Sequence, residues 1–359
     1  MDDLRAVDDG RADAAPALQR ALDRRGEIRV PAGTYRLGAT LKLHSDTHLI
    51  AEPGAVFVLA DGVCRHCRDF MLTNANPGNG NRDISVRGGV WRANGAGNPR
   101  GVDFEPFSYT GAALNFVNVE RLALSGLALH DPEAFFVRLG EVRDFLVEDI
   151  DLRADTPRPN QDGIHLGGYC RNGVIRRVRA AGPGVPNDDM VALNADDNVE
   201  RQLNLGMRRG PIRDILVEDI EAEDAYTFVR LLSVDQPIED IRIRRIRGGC
   251  RVHGINLNNW AFPKGVGAIR RVLLEDVDLA KTAYSAEIPA LVEVSLRVDA
   301  FEIRRLRRRP GTPPRVQTLL VDNNQRLTAR LDGRATIVEP GSAFATQAAA
   351  LESLRLDQG

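Results

Sequence analysis

Two stretches of this chain of 359 residues hold acids at a spacing that carries chemistry: Asn160-Gln161-Asp162-Gly163 and Asn187-Asp188-Asp189. One aspartate on a surface is a solvated charge. Several held together cannot all ionise, so at least one keeps a proton near neutral pH. A protonated carboxyl beside an ionised one can cleave a glycosidic bond, the first protonating the leaving oxygen and the second activating water. Asp162, Asp188 and Asp189 are the candidate catalytic groups, and Asn160, His165, Arg230, His253, Asn256 and Arg138 are candidate sugar-binding groups. Clustered acids on such a surface can also be merely solvated or bind calcium. The second pair, Asp196-Asp197, is expected to be solvated and nothing more.

These residues can meet only if the intervening chain folds back in register. A phrase of alternating apolar residues recurs, as in Arg143-Asp144-Phe145-Leu146-Val147-Glu148-Asp149-Ile150 and Arg213-Asp214-Ile215-Leu216-Val217-Glu218-Asp219-Ile220. Its last apolar residue advances from Leu127 through Ile150, Val178, Ile220, Ile246 and Val277 to Leu306, in steps of 23, 28, 42, 26, 31 and 29. A period of two within the phrase excludes helical solenoids, and the scarcity of two-residue hairpin signals argues against an antiparallel sandwich. The expectation is an all-β, right-handed parallel β-helix, one solenoid over 1–359.

A second strand follows each phrase. Aligning those strands gives an inward column of Val137, Ile164, Val191, Val229, Ile255 and Val292. Outward positions repeat every second residue. They form one ladder of Phe135, Asp162, Asp189, Thr227, His253 and Ala290, and another of Arg138, His165, Ala192, Arg230, Asn256 and Glu293. Asp162 and Asp189 thereby become neighbours on adjacent coils, with Asp188 one residue before the strand.

A solenoid must hide its open ends. Residues 12–25 carry apolar side chains at helical spacing and are expected to form an N-terminal capping helix, while 343–359 is expected to be a C-terminal cap or tail. The balance of 48 basic against 50 acidic residues offers no general attraction to nucleic acid or membrane, so the expected partner is an oligo- or polysaccharide. Oligomeric state is left open. Lys42, Lys264 and Lys281 are the only lysines, so the positive charge is almost all arginine, which binds carboxylates in bidentate fashion. Cys64 and Cys67 have ligand-like spacing but no second pair, so neither a metal nor a cofactor is expected. Without an apolar leader in its first residues, the protein is expected to be cytoplasmic.

From about Val30 to Asn259 the chain resembles glycoside hydrolase family 28, the polygalacturonases and their relatives, on the right-handed β-helix fold shared with pectate lyases. Val30-Pro31-Ala32-Gly33-Thr34-Tyr35 is similar to the family's early coils, Asn160-Gln161-Asp162-Gly163 to its Asn-Thr-Asp-Gly motif, and Asn187-Asp188-Asp189-Met190-Val191-Ala192-Leu193 to its Gly-Asp-Asp motif. The resemblance implies an inverting hydrolase of pectic or related sugars in which Asp188 is the acid and Asp162 and Asp189 position water. Two departures follow. His253-Gly254 lies one coil later than the family's His-Gly motif, and Leu232 stands where a lysine would bind a galacturonate carboxylate. A loop inserted beside the acid pair, before Pro211, is expected to wall one side of the groove and favour exo-acting cleavage. The competing readings are a polysaccharide lyase or uronate epimerase on the same scaffold, and a non-catalytic carbohydrate-binding β-helix.

Overall fold

A computed structural model describes residues 4, 7–257, 266–283, 285–321, 327–331, 334–338, 342–344 and 351–357. Each repeated phrase is a single bent strand: Val119–His130, Arg143–Arg153, Arg171–Pro183, Ile212–Leu232, Ile238–Leu257, Ile269–Lys281 and Val298–Arg308. Neighbouring coils pair in parallel, placing Leu127, Ile150, Val178, Ile220, Ile246, Val277 and Leu306 opposite one another in turn. The architecture is the right-handed parallel β-helix expected from the repeat.

The bends have a local cause. In successive coils, two residues five positions apart adopt the left-handed conformation: Asp144 and Asp149, Asn172 and Arg177, Asp214 and Asp219, Asp240 and Arg245, Arg271 and Asp276. Asp and Asn enter this region at low cost. At the arginines, ion pairs to the coil below offset the strain, with Arg177 Nε 2.6 Å from Asp149, Arg245 Nε 2.6 Å from Asp219 and Arg305 Nε 2.6 Å from Asp276. Each exposed pair contributes only ~0–1 kcal/mol, so the ladder sets corner geometry more than it sets stability.

Stability resides in the lumen. The inward column Val137, Ile164, Val191, Val229, Ile255 and Val292 is in register and fully buried. In the early coils Tyr35, Phe57 and Trp91 stack, with ring centroids 5.6 and 4.0 Å apart. Gly173 is required where it stands, because a Cβ there would lie 2.0 Å from the Phe145 ring.

Both ends differ from expectation in detail. The capping helix is shorter than 12–25, running over Ala15–Leu22 with Ala15, Ala17, Leu18, Ala21 and Leu22 buried. Asp9–Asp13 is instead drawn into a strand beside Gly33–Leu37, and Asp13 Oδ1 accepts hydrogen bonds from the Ala15 and Gly38 amides, fixing the turn into the helix. At the other end, the stretch expected to be a cap or tail contributes strands, Ser342–Phe344 and Leu351–Asp357. They pair antiparallel with Gln317–Val321 and Val298–Arg308, covering edges whose N–H and C=O groups would otherwise be open. No helix among the described residues is long and apolar enough to cross a membrane. Cys64 is a buried free thiol pushed up to about 12 by burial, so it supplies no thiolate at neutral pH.

Candidate active site

The coil register carries the acids to one place. Ile164 pairs with Val191, so Asp162 and Asp189, each two residues earlier, stand side by side. The Gly163 amide donates to the Asp189 carbonyl at 2.8 Å and the Thr227 amide to the Asp188 carbonyl at 3.4 Å, tying the acid-bearing backbone across three coils. Gly163 permits this approach, since a Cβ would lie 2.5 Å from the Met190 carbonyl oxygen. One oxygen each from Asp162, Asp188 and Asp189 lies within 4.8 Å of the other two.

Burial and mutual repulsion act on all three. Burial pushes the Asp188 carboxyl up to about 7, with the Asp162 charge adding to the effect. Burial also raises Asp189 well above the carboxylate range, reinforced by Asp188. Asp162 is raised by burial as well, but His165 opposes the shift. Asp188 is the most accessible of the three. It is therefore the one that can both hold a proton near neutral pH and present it to a ligand.

His165 is the counter-charge beneath the cluster. Its Nδ1 lies 2.6 Å from Asp162 Oδ2, its Nε2 is 2.9 Å from Asp197 Oδ2, and its ring stacks on Phe135 at 4.2 Å between centroids. The Nε2 contact with Asp197 is an ion pair. Burial works against the imidazolium, but the two flanking carboxylates overcome it and raise His165 to about 10. Arg230 supplies a second cation, with Nη1 3.9 Å from Asp189 Oδ2 and a buried Nε that has no hydrogen-bond partner.

Asn160 joins this group through its amide, which donates to Asp188 Oδ2 at 3.2 Å. Its left-handed backbone, φ 62°, turns the chain into the strand that bears Asp162. Asn256 pairs in register with Arg230 on one side and Glu293 on the other, and is buried.

Two expected ligand groups are withdrawn into the protein. Arg138 is 1% exposed. Its Nε donates to Asn115 Oδ1 and its Nη1 to the Leu203 carbonyl, both at 2.8 Å, so it clamps the inserted loop and cannot meet a sugar. His253 is fully buried, with Nε2 2.8 Å from Glu293 Oε2. The sequence places both correctly on their ladders but does not reveal the inserted loop whose Leu203 carbonyl covers Arg138; Glu293, which seals His253, is itself a rung of the second ladder. Leu232 is buried too and offers nothing to the groove.

The pair expected to be solvated is instead structural. Asp196 Oδ2 accepts hydrogen bonds from the amides of Val234, Asp235 and Gln236 at 2.6, 2.9 and 2.8 Å, and Asp197 holds His165. Sequence reasoning also misses Arg100, Arg201 and Arg251. Arg100 Nη1 and Arg201 Nη2 approach Asn160 Oδ1 at 3.1 and 3.5 Å, while Arg251 reaches Asn187 Oδ1 at 3.0 Å and braces the loop before Asp188. Arginine abundance is the only sequence signal for them. A groove of about 520 Å³ lies elsewhere, lined by Asp214, Asp240, Arg242 and Arg271 on the corner ladders. The site is marked by its chemistry and not by its depth.

Compared with known proteins, the chain matches no established family profile. A segment of 109 residues is 28% identical to an exopolygalacturonase of Arabidopsis thaliana, covering 30% of this chain and 24% of that protein, so the match spans about a quarter of the relative's length. The structure is similar to a hyperthermoactive exopolygalacturonase from Thermotoga maritima, with a TM-score of 0.61 at 13% identity over 95% of this chain and 94% of that one. It is also similar to the family 28 exopolygalacturonase of Yersinia enterocolitica, with a TM-score of 0.58 at 14% identity over 84% and 70% of the two chains. The surface adhesin PfbA of Streptococcus pneumoniae gives 0.55 at 12% identity over 94% and 99%. At these identities the common feature is the fold.

Proposed function

We propose that the protein is a glycoside hydrolase that cleaves pectic or related oligosaccharides with Asp188 as general acid and Asp162 and Asp189 as the groups that bind and activate water. The observation that carries this reading is the accessible Asp188 carboxyl, raised to about 7, beside two more deeply buried carboxylates. In the step envisaged, the Asp188 proton passes to the glycosidic oxygen as its bond to the anomeric carbon breaks. A water oxygen bonds to that carbon and the water proton goes to Asp162, which His165 favours in its ionised form. Asp189 orients the water. Closest oxygens within 4.8 Å are tighter than the ~6.5–9.5 Å usual for single-base inverting pairs, so the inverting assignment rests on the motif resemblance and not on spacing.

Calcium binding by the same acids is disfavoured, because His165 and Arg230 already place two positive charges against them. The adhesin-like reading leaves buried, proton-holding carboxylates without a use, and such groups concentrate where catalysis needs them. Exo-action is part of the proposal. Arg201 joins the inserted loop to the loop bearing Asp103 at 3.0 Å, and Gln202 donates to the Tyr109 carbonyl, so two loops wall the groove beside Asn160.

A panel of pectic and neutral oligosaccharides tests the proposal. New reducing ends, single-residue products and an inverted first-formed anomer are the expected results. An unsaturated product absorbing in the ultraviolet would assign the protein to the lyases, and internal cuts in a long polymer would remove the exo assignment.

A further inference from the structure

Charge on the outer ladders follows a rule with one exception. Glu148, Arg176, Glu218, Arg244, Glu275 and Arg304 stand opposite one another on successive coils, acid against base at every rung. The ladder that runs from Asp151 through Arg179 to Arg307 alternates in the same way. A third ladder reads Arg82, Glu120, Arg143, Arg171, Arg213, Glu239 and Arg270. Alternation calls for an acid where Arg171 stands, and three arginines instead occupy neighbouring rungs about 4.8 Å apart. Like charges directly opposite one another destabilise a sheet.

Little within the protein offsets this run. Arg143 Nη2 lies 2.7 Å from Glu120 Oε2, but the Arg171 and Arg213 side chains have neither a hydrogen bond nor an ion pair among the described residues. Glu239, across from Arg213, is engaged by Arg270 at 2.9 Å. The three arginines open onto a pocket of about 320 Å³ whose other walls are Asn118, Glu141, Tyr169 and Pro211. Glu141 is the one acid in that lining, and Arg208 holds it at 2.9 Å. Tyr169 is 40% exposed and left-handed, φ 66°. Asn118 turns the corresponding corner at φ 56° at low cost, whereas a bulky ring in that conformation is strained, and strain of this kind concentrates at binding sites. The ring is held by Gly210, where a Cβ would lie 2.3 Å from it, and by the Arg208 guanidinium 5.0 Å from its centroid.

We infer that Arg143, Arg171 and Arg213 bind a tetrahedral oxyanion, the phosphate or sulfate group of a small ligand, in the pocket that Tyr169 walls. A carboxylate offers two oxygens in one plane, which a single guanidinium fork satisfies. A phosphate or sulfate ester turns three oxygens outward and suits guanidiniums on three successive rungs. The pocket is larger than a bare ion needs and falls at the lower end of the range for small organic ligands, so the anion is one group of a larger molecule. Tyr169 follows the short strand Ile164–Leu166, whereas Asp162 precedes it. The site is therefore separate from the acid cluster and independent of the hydrolase reading.

Thermal unfolding of the whole protein at constant ionic strength tests this, with inorganic phosphate, sulfate, acetate and chloride as probes. Phosphate and sulfate should raise the melting temperature by a few degrees and saturate, whereas the general effect of excluded salts keeps growing with concentration. Acetate and chloride should give no saturable shift. Arg171→Glu restores the alternation. It should melt above the wild type in chloride and lose the phosphate response, because a contact is gone and a like charge has replaced it. Arg171→Gln should weaken phosphate by roughly tenfold or more in calorimetry, the loss expected for one charge-assisted contact. Arg270→Gln, on the same ladder but outside the pocket, should leave phosphate binding unchanged. The tighter of galactose 6-phosphate and galactose 6-sulfate then identifies the ester.

The inference is overturned if phosphate and sulfate give no saturable shift beyond that of acetate, or if Arg171→Glu keeps the full response. An Arg171→Glu protein less stable than the wild type in chloride overturns it equally, because the run of three arginines would then serve the fold itself.

Discussion

Replacing Asp188 by Asn should make the protein more stable at alkaline pH and no more stable in acid. The folded protein holds the Asp188 proton up to about 7, whereas the unfolded chain releases it near 3.8. Between those values the folded state binds the extra proton, so stability falls as pH rises through the window and the full penalty applies above about 7. The span corresponds to ~4 kcal/mol at ~1.4 kcal/mol per pH unit. Asp188 keeps some contact with solvent, which screens its charge, so ~2 kcal/mol is the working figure. In the variant, the side-chain carbonyl that replaces the carboxylate can still accept the hydrogen bond from Asn160. Thermal unfolding of both proteins between pH 3.5 and 8.5 reads the effect. The two melting temperatures should coincide near pH 3.5 and separate by a few degrees at pH 8, with the variant higher. A difference that does not change with pH, or a variant less stable at pH 8, would refute the claim that this carboxyl is held protonated by its surroundings.

Asp197→Asn should act in the opposite sense. It removes one of the two carboxylates that raise His165 to about 10, and a raised histidine stabilises fully below its unfolded value of 6.5, with the gain lost as pH rises through the folded value. Asp197 is itself held below its ordinary 3.8, His165 outweighing the opposing effect of burial, so melting-temperature profiles should show the largest loss between about pH 4 and 6.5, shrinking in stronger acid and converging above about pH 10. Asp196→Ala strips three backbone amides of their acceptor and should cost ~2–4 kcal/mol by chemical denaturation, since each orphaned donor loses a bond worth ~1 kcal/mol or more. Arg138→Met should lower stability by ~1–3 kcal/mol by releasing the Leu203 carbonyl and Asn115. Its KM should rise only in step with loosening of the inserted loop, and a selective loss of sugar affinity with unchanged melting would restore Arg138 as a ligand.

The fold was legible because β-helix coils repeat their physics. Apolar alternation set which residues face the lumen, and the inward valines and isoleucines then fixed register so firmly that both outward ladders could be written from sequence alone. Neighbouring placement of Asp162 and Asp189 follows from that register. What the ladders could not convey is what covers them. Arg138 sits at its expected rung but is sealed by Leu203 of the inserted loop, 65 residues on, whereas Glu293, which seals His253, stands on a rung that the ladder itself gives. Asp196 binds amides 38 to 40 residues away and Arg201 reaches a loop 98 residues away. Such contacts depend on loop paths, which periodicity does not encode. The ends illustrate the same point. Composition leaves 343–359 as a cap or tail, and the open strand edges are what draw Ser342–Phe344 and Leu351–Asp357 into strands.

The central claim is that Asp188 donates the proton in a hydrolytic cleavage. It is tested most directly by the rate of reducing-end release from oligogalacturonides by wild-type and Asp188→Asn protein across pH. The account predicts a wild-type profile that declines as pH rises through about 7, the range in which Asp188 loses its proton. It also predicts a variant slower by ~10²–10⁴-fold at the optimum. A variant that retains wild-type activity, or a wild-type rate that keeps rising above pH 8, would contradict it.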